Sequence, residues 1–256
     1  MRPDLTVIVP CYNEAERLPV TLPRLVEYLD RRGGSYEILI VDDGSDDATA
    51  AVAERLGGPA VRVLAYRPNR GKGYAIRYGA AHARGALVLF SDADLSTPIE
   101  EVERLQAVLE TGYDVAIGSR ALAQSRLERR QPWWRERLGR LFNGVVRLLG
   151  LRRYHDTQCG FKLFTRAAAR AIFPNLAIDR WTFDVEALLV AEKLGLRVAE
   201  VPVTWIDSPD SRVHVLRDSV RTVVDLIRIR VRWAVRKPTP PLPEPDELPE
   251  AIPGGR

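Results

Sequence analysis

Sulfur is scarce in this chain: 256 residues contain two cysteines, Cys11 and Cys159, and one methionine. That count excludes a disulfide framework and a cysteine-rich zinc site. Both cysteines read as reduced packing residues. The three histidines, His82, His155 and His214, show no metal-ligand spacing. His155 stands beside Asp156, but it reads as a loop histidine. No apolar run reaches the roughly 18 residues of a membrane span. Met1-Arg2-Pro3-Asp4 leads straight into a strand-like run, without the pattern of a secretory leader. We therefore expect a chain that works in the cytoplasm.

What is present is an ordinary globular composition, 46% hydrophobic and 28% charged. The length suits one large domain with a substantial core. Net charge is +4, but it is unevenly spread. Arginines dominate 120–153 and again 212–237, whereas 238–256 is acidic and too proline-rich to pack. No recognised nucleic-acid motif accompanies the basic stretches, so nucleic acid is not an expected partner.

Short apolar runs punctuate the first half: LTVIVP (5–10), YEILIV (36–41), VRVLAY (61–66), ALVLF (86–90) and DVAIGS (114–119). Lacking polar alternation, they read as strands covered on both faces. Helical periodicity fills the gaps near 18–31, 47–56, 73–84 and 98–110. This alternation predicts an α/β fold, a mainly parallel central sheet with helices on both faces. Later segments read as helices over 133–151, 182–194 and 213–237, with a strand over 197–206. HDTQCGFKLF (155–164) reads as a connection.

Ligands of such sheets bind where the strands end at their carboxyl termini. The residues found there are Tyr12-Asn13-Glu14, Asp42-Asp43-Gly44-Ser45, Asp92-Ala93-Asp94 and Arg120. Asp92 and Asp94, one residue apart after a buried strand, need neutralising. Mg²⁺ or Mn²⁺, holding one or two carboxylates together with diphosphate oxygens, would do so and would stabilise a leaving nucleotide diphosphate. The bland alternative is a helix cap, but Ser96 or Thr97 already suits that role ahead of Pro98. Tyr12 can offer its ring to a base, and the carboxylates of the first two loops can accept from base or ribose. Asn69-Arg70-Gly71-Lys72-Gly73 allows close approach to phosphate, with Lys72 as counter-charge. It meets neither the dinucleotide nor the Walker fingerprint.

Taken in order, VPCYNE (9–14), VDDGSDDAT (41–49), NRGKGYAIRYG (69–79), SDADLS (91–96), IGSR (117–120), DTQCGFK (156–162) and RWTFDVEALL (180–189) resemble the family 2 glycosyltransferases of the GT-A fold. The resemblance covers roughly 5–210. It is strongest to the enzymes that load sugars onto polyprenyl and dolichyl phosphates, the glucosyl branch ahead of the mannosyl one. It implies that Pro10, Tyr12, Glu14 and Asp42 hold the nucleoside, with Asp43 nearby in the donor site, and that Lys72 lies near the donor. Asp92, Ala93 and Asp94 would take the diphosphate, with Asp92 and Asp94 on the metal. Arg120 and Arg135 would face the diphosphate or the acceptor phosphate, and Asp156 and Glu186 would orient hydroxyls. Asp94, Arg120, Arg135 and Asp156 form the implied catalytic set. The glutamine that often follows the paired aspartates in the mannosyl branch is Ser96 here, which weighs against mannose. The implied reaction is inverting displacement from a nucleotide-sugar donor to a lipid phosphate, already ionised at neutral pH.

A lipid acceptor calls for a membrane surface. Trp133, Trp134, Arg135, Arg137 and Arg140 suit a headgroup region, as do Arg228, Arg230, Arg232, Trp233 and Arg236. We therefore expect a catalytic domain over 1–212, a basic amphipathic helix over 213–237 touching the cytoplasmic face of a membrane, and a disordered tail over 238–256. Two alternatives stay open: a family 2 transferase using GDP-mannose or a soluble hydroxyl acceptor, and a nucleotide-sugar binder without turnover. A receiver module, which Asp42-Asp43 superficially resembles, would leave the other motifs unexplained.

Overall fold

The computed structural model describes residues 2–129, 144, 153–206, 215–236 and 239, with the side chains of 128, 129 and 215–221 left aside. The predicted helix over 133–151, Arg135 and the tail beyond Thr239 lie outside the described residues.

Alternation of strand and helix runs through the first half. The strands are β1 (Leu5–Cys11), β2 (Tyr36–Asp42), β3 (Val61–Ala65), β4 (Leu87–Ser91) and β5 (Val115–Ser119). Between them lie helices α1 (Leu18–Arg32), α2 (Thr49–Gly57), α3 (Lys72–His82) and α4 (Val102–Glu110). A short 3-10 turn, Ile99–Glu101, precedes α4, and no side chain caps it. Then follow β6 (Arg126–Arg129), β7 (Phe161–Thr165), α5 (Arg166–Ile172), α6 (Phe183–Lys193), β8 (Val198–Pro202), β9 (Thr204–Ile206) and α7 (Val215–Val235).

Seven strands form the main sheet in the order β3-β2-β1-β4-β7-β5-β8. Every neighbouring pair is parallel except those of β7, which runs antiparallel between β4 and β5. Alternate residues feed opposite faces. Ile8, Leu39 and Val41 pack with α3, α5, α6 and α7, while Val7, Val9, Ile38 and Ile40 pack with α1, α2 and α4. Each such fully buried aliphatic side chain contributes about 1.5–3 kcal/mol of transfer free energy.

Three expectations need correcting. The connection at 155–164 holds the antiparallel strand β7; FKLFT is too short and too close to polar DTQCG for its pattern to stand out. The single strand expected over 197–206 breaks between Pro202 and Thr204. Val203 N–H donates to Ser119 at the end of β5, and β9 turns away to pair with β6 in a second, two-stranded sheet. Trp233, expected at a headgroup region, is 2% exposed within the core, because α7 packs on α6 and buries Leu226, Ile229 and Trp233. No described helix is long and apolar enough to cross a membrane.

Candidate active site

Parallel β1, β2 and β4 end side by side, so their loops meet at one edge of the sheet. Two non-glycine residues with positive φ mark this edge, Asn13 at 56° after β1 and Leu95 at 49° after β4. A bulky residue such as Leu95 pays about 1–3 kcal/mol for that conformation, which the surrounding fold must impose. It lets Asp94 bend back: Ser96 N–H donates to Asp94 Oδ1 at 2.9 Å.

Asp92 and Asp94 thus share one tight turn. Burial, then the neighbouring charge of Asp92, push the Asp94 carboxyl above the usual carboxylate range. The Lys72 ammonium, at the start of α3, bonds directly to Asp92. Burial works against the Lys72 charge, but Asp92 and Asp184 outweigh it and its pKa rises. Behind the pair, Asp92 N–H donates to Gly160 O at 3.2 Å, and a Cβ on Gly160 would lie 2.0 Å from Asp92 Oδ2. The DTQCGFK segment is therefore the floor under the aspartate turn.

Asp42 and Asp43 are both buried, and they do different things. Asp42 Oδ1 accepts from Ser45 N–H at 3.1 Å and from the Ser45 hydroxyl. Asp43 accepts from Tyr66 O–H, Asn69 Nδ2, Arg70 N–H and Gly71 N–H at 2.7–2.9 Å. So Asp43 shapes the loop that presents Lys72. Pro10 lies at the end of β1, and Tyr12 beyond it is 38% exposed. Glu14 pairs with Arg17 at 2.5 Å, and Ala93 is buried against the core on the α1 side of the sheet.

Arg120, just past β5, is held on three sides. Its Nε and Nη2 donate to Asp156 at 2.7 and 3.0 Å, and its N–H donates there at 3.0 Å. Its guanidinium lies 5.6 Å from the Trp205 ring centre. Burial opposes the Asp156 charge, but the charge of Arg120 and its hydrogen bonds win, and the carboxyl falls below the usual range. Asp156 in turn takes an amide from Gln158, while its own N–H donates to Glu200. Its carboxylate is engaged in aiming Arg120. Glu186 is fully buried and accepts from Ala177 N–H and Ile178 N–H, both at 2.8 Å, and from the Trp233 indole at 3.4 Å. Its carboxylate joins the 176–178 loop to α7.

A family model described as "Glycosyl transferase family 2" matches residues 6–173, which hold both strand-end loops and the aspartate turn. The chain belongs to glycosyl transferase family 2. It is 39% identical over 247 residues to a Drosophila melanogaster protein named dolichyl-phosphate beta-glucosyltransferase, covering 91% of this chain and 76% of that one. The Homo sapiens protein of that name is 38% identical over 90% of this chain and 76% of its own length. Among solved structures, glucosyl-3-phosphoglycerate synthase from Mycobacterium tuberculosis, crystallised with Mn²⁺ and UDP-glucose, superposes with a TM-score of 0.66 at 20% identity. That match covers 89% of this chain and 79% of the other, and it fixes the fold as GT-A. As a family 2 member, this chain is a glycosyltransferase.

Several contributors escaped sequence reasoning. Lys162 is fully buried, bonding Asp184 on α6 and donating to Cys159 O at 2.6 Å. Asp184 reaches Lys72 electrostatically, so acid and base alternate from Asp92 to Lys72, Asp184 and Lys162. Nothing local flagged Lys162 or Asp184, because a lysine and an aspartate 22 residues apart pair only through the tertiary fold. Trp205 joins Arg120 only because β9 leaves the main sheet.

Proposed function

We propose that this family 2 enzyme transfers glucose from UDP-glucose, with inversion, onto a polyprenyl or dolichyl phosphate at the cytoplasmic face of a membrane. The observation that carries the reading is the 39% identity, over nine-tenths of the chain, to a relative named for that activity. The site chemistry supports it.

The two carboxylates of the aspartate turn suit Mg²⁺ or Mn²⁺. Burial and the charge of Asp92 hold Asp94 above its ordinary pKa, the mark of a carboxylate short of compensating charge, since Lys72 bonds Asp92. Among the described residues no set of three His, Cys, Asp or Glu side chains could hold a metal. Two carboxylates alone match an ion that fills its remaining positions with diphosphate oxygens and water. When bound, such an ion would offset negative charge on the departing diphosphate.

The chain's own groups do the rest. Tyr12, Glu14 and Asp42 border the nucleoside end, and Pro10 sets the end of β1 from which that loop leaves. Lys72 supplies positive charge beside the aspartate turn, and Asp43 keeps its loop in place. Arg120, clamped by Asp156 and Trp205, presents a fixed guanidinium to an incoming phosphate. Because that phosphate is already anionic, the task is to bring two anions together rather than to remove a proton. Arg135 is proposed as a second acceptor cation from the family resemblance. Asp156 and Glu186 are positioning residues in this scheme.

Titration calorimetry with Mn²⁺ and either UDP-glucose or GDP-mannose tests the donor. Tighter binding of UDP-glucose supports the reading, and preference for GDP-mannose overturns the sugar assignment while leaving the site intact.

A further inference from the structure

Helix α7 has two apolar faces, and the core uses only one. Thr222, Leu226, Ile229 and Trp233 point inward and are buried. On the opposite side Val224, Ile227, Val231 and Val235 recur at spacings of three, four and four, the period of one helical face. They are 43%, 52%, 66% and 87% exposed. Together they make a stripe about 17 Å long. Arg228 and Arg230 on the helix, and Arg236 just past its end, are exposed as well. The only acid among the described side chains of α7, Asp225, is turned toward Thr182 at 3.3 Å.

Through Asp225, the same helix touches the segment beside the site. Thr182, bonded to Asp225, follows Trp181, an indole left 42% exposed. The Lys72 ammonium stands 5.3 Å from the centre of that ring and bonds Asp92. The segment bearing Trp181 is fixed in place: Tyr74 N–H donates to Asp179 O at 3.0 Å, and a Cβ on Gly71 would lie 2.6 Å from that oxygen.

We propose that the outward face of α7 docks in the plane of an anionic bilayer, and that the lipid phosphate reaches the aspartate turn past Trp181. The proposal rests on the lipid-acceptor reading above. Apolar residues flanked by arginines, with Asp225 bonded to Thr182 and 3.5 Å from Arg228, match an interfacial helix on anionic headgroups. A second copy of the chain would bring the same arginines together, which disfavours self-association through this face.

The test uses the full chain and vesicles of phosphatidylcholine with or without phosphatidylglycerol. Ile227→Asp/Val231→Asp alters only solvent-facing positions, so folding should survive, as circular dichroism would check. We expect wild type to float with the anionic vesicles and to release as salt rises. The double variant should lose on the order of a hundredfold in partitioning, while keeping wild-type turnover on a short, water-soluble prenyl phosphate. Undiminished vesicle binding by the variant overturns the proposal. So does a wild-type dimer dispersed by the variant with vesicle binding unchanged, which would make the stripe a subunit interface. Absence of turnover on any prenyl phosphate, with vesicle binding lost in the variant, would instead reject the acceptor reading and leave the docking surface standing.

Discussion

Gly160 lies so close beneath Asp92 that a methyl group there would overlap the carboxylate, its Cβ 2.0 Å from Asp92 Oδ2. The atom in the way is the end of a side chain rather than backbone, so the yielding partner is the carboxylate itself. Gly160→Ala is therefore expected to displace Asp92 and to lower kcat/KM by about 100-fold or more. Thermal unfolding should change much less. A variant that unfolds early yet keeps wild-type kcat/KM would contradict this relationship.

Removing a carboxylate from the aspartate turn should act on ion binding first. Asp94→Asn is expected to weaken Mn²⁺ binding in the presence of UDP, read by electron paramagnetic resonance, and to lower turnover by roughly a thousandfold. It should also raise the stability of the ion-free protein slightly, because burial penalises the Asp94 charge.

Asp156 and Arg120 predict an acid limb. The Asp156 carboxyl is held below its ordinary pKa, so its contribution to stability is complete above the unfolded value near 4. That contribution is lost as pH falls through the folded value. Asp156→Asn should cost about 3–5 kcal/mol at neutral pH by leaving Arg120 without its buried partner. It should also flatten the decline of stability below about pH 4, as measured by urea unfolding across pH. An unchanged acid limb would count against the pairing.

Lys162 and Asp184 form a fully buried ion pair. Lys162→Met alone should cost about 3–5 kcal/mol, whereas Lys162→Met with Asp184→Leu should recover much of it. Activity should stay low in the double variant, because Asp184 also helps hold the charge of Lys72.

Much of this was legible from residue patterns. The strands of the first half are uninterrupted aliphatic runs, and the polar residues that end them point to the candidate site. The aspartate turn, Lys72 and Arg120 stood out in the sequence because each breaks such a run or opens a helix. What stayed hidden depends on contacts distant in sequence. That Asp43 takes four donors from the 66–71 loop could not be read from its place beside Asp42. Glu186 looked like a polar group on a site helix, but α6 turns it inward to α7. Trp233 followed the basic pattern of its helix, yet the opposite face carries the exposed stripe. Periodicity alone does not say which of two apolar faces meets the core.

Turnover itself is the most direct test. Purified protein should be incubated with UDP-glucose, a short polyprenyl phosphate in detergent and Mg²⁺ or Mn²⁺, and the lipids read by mass spectrometry. A hexosyl-phosphate lipid that is absent with EDTA and absent for Asp94→Ala is the expected result. UDP bound with metal, but no lipid product from UDP-glucose or GDP-mannose, would contradict the lipid-phosphate acceptor.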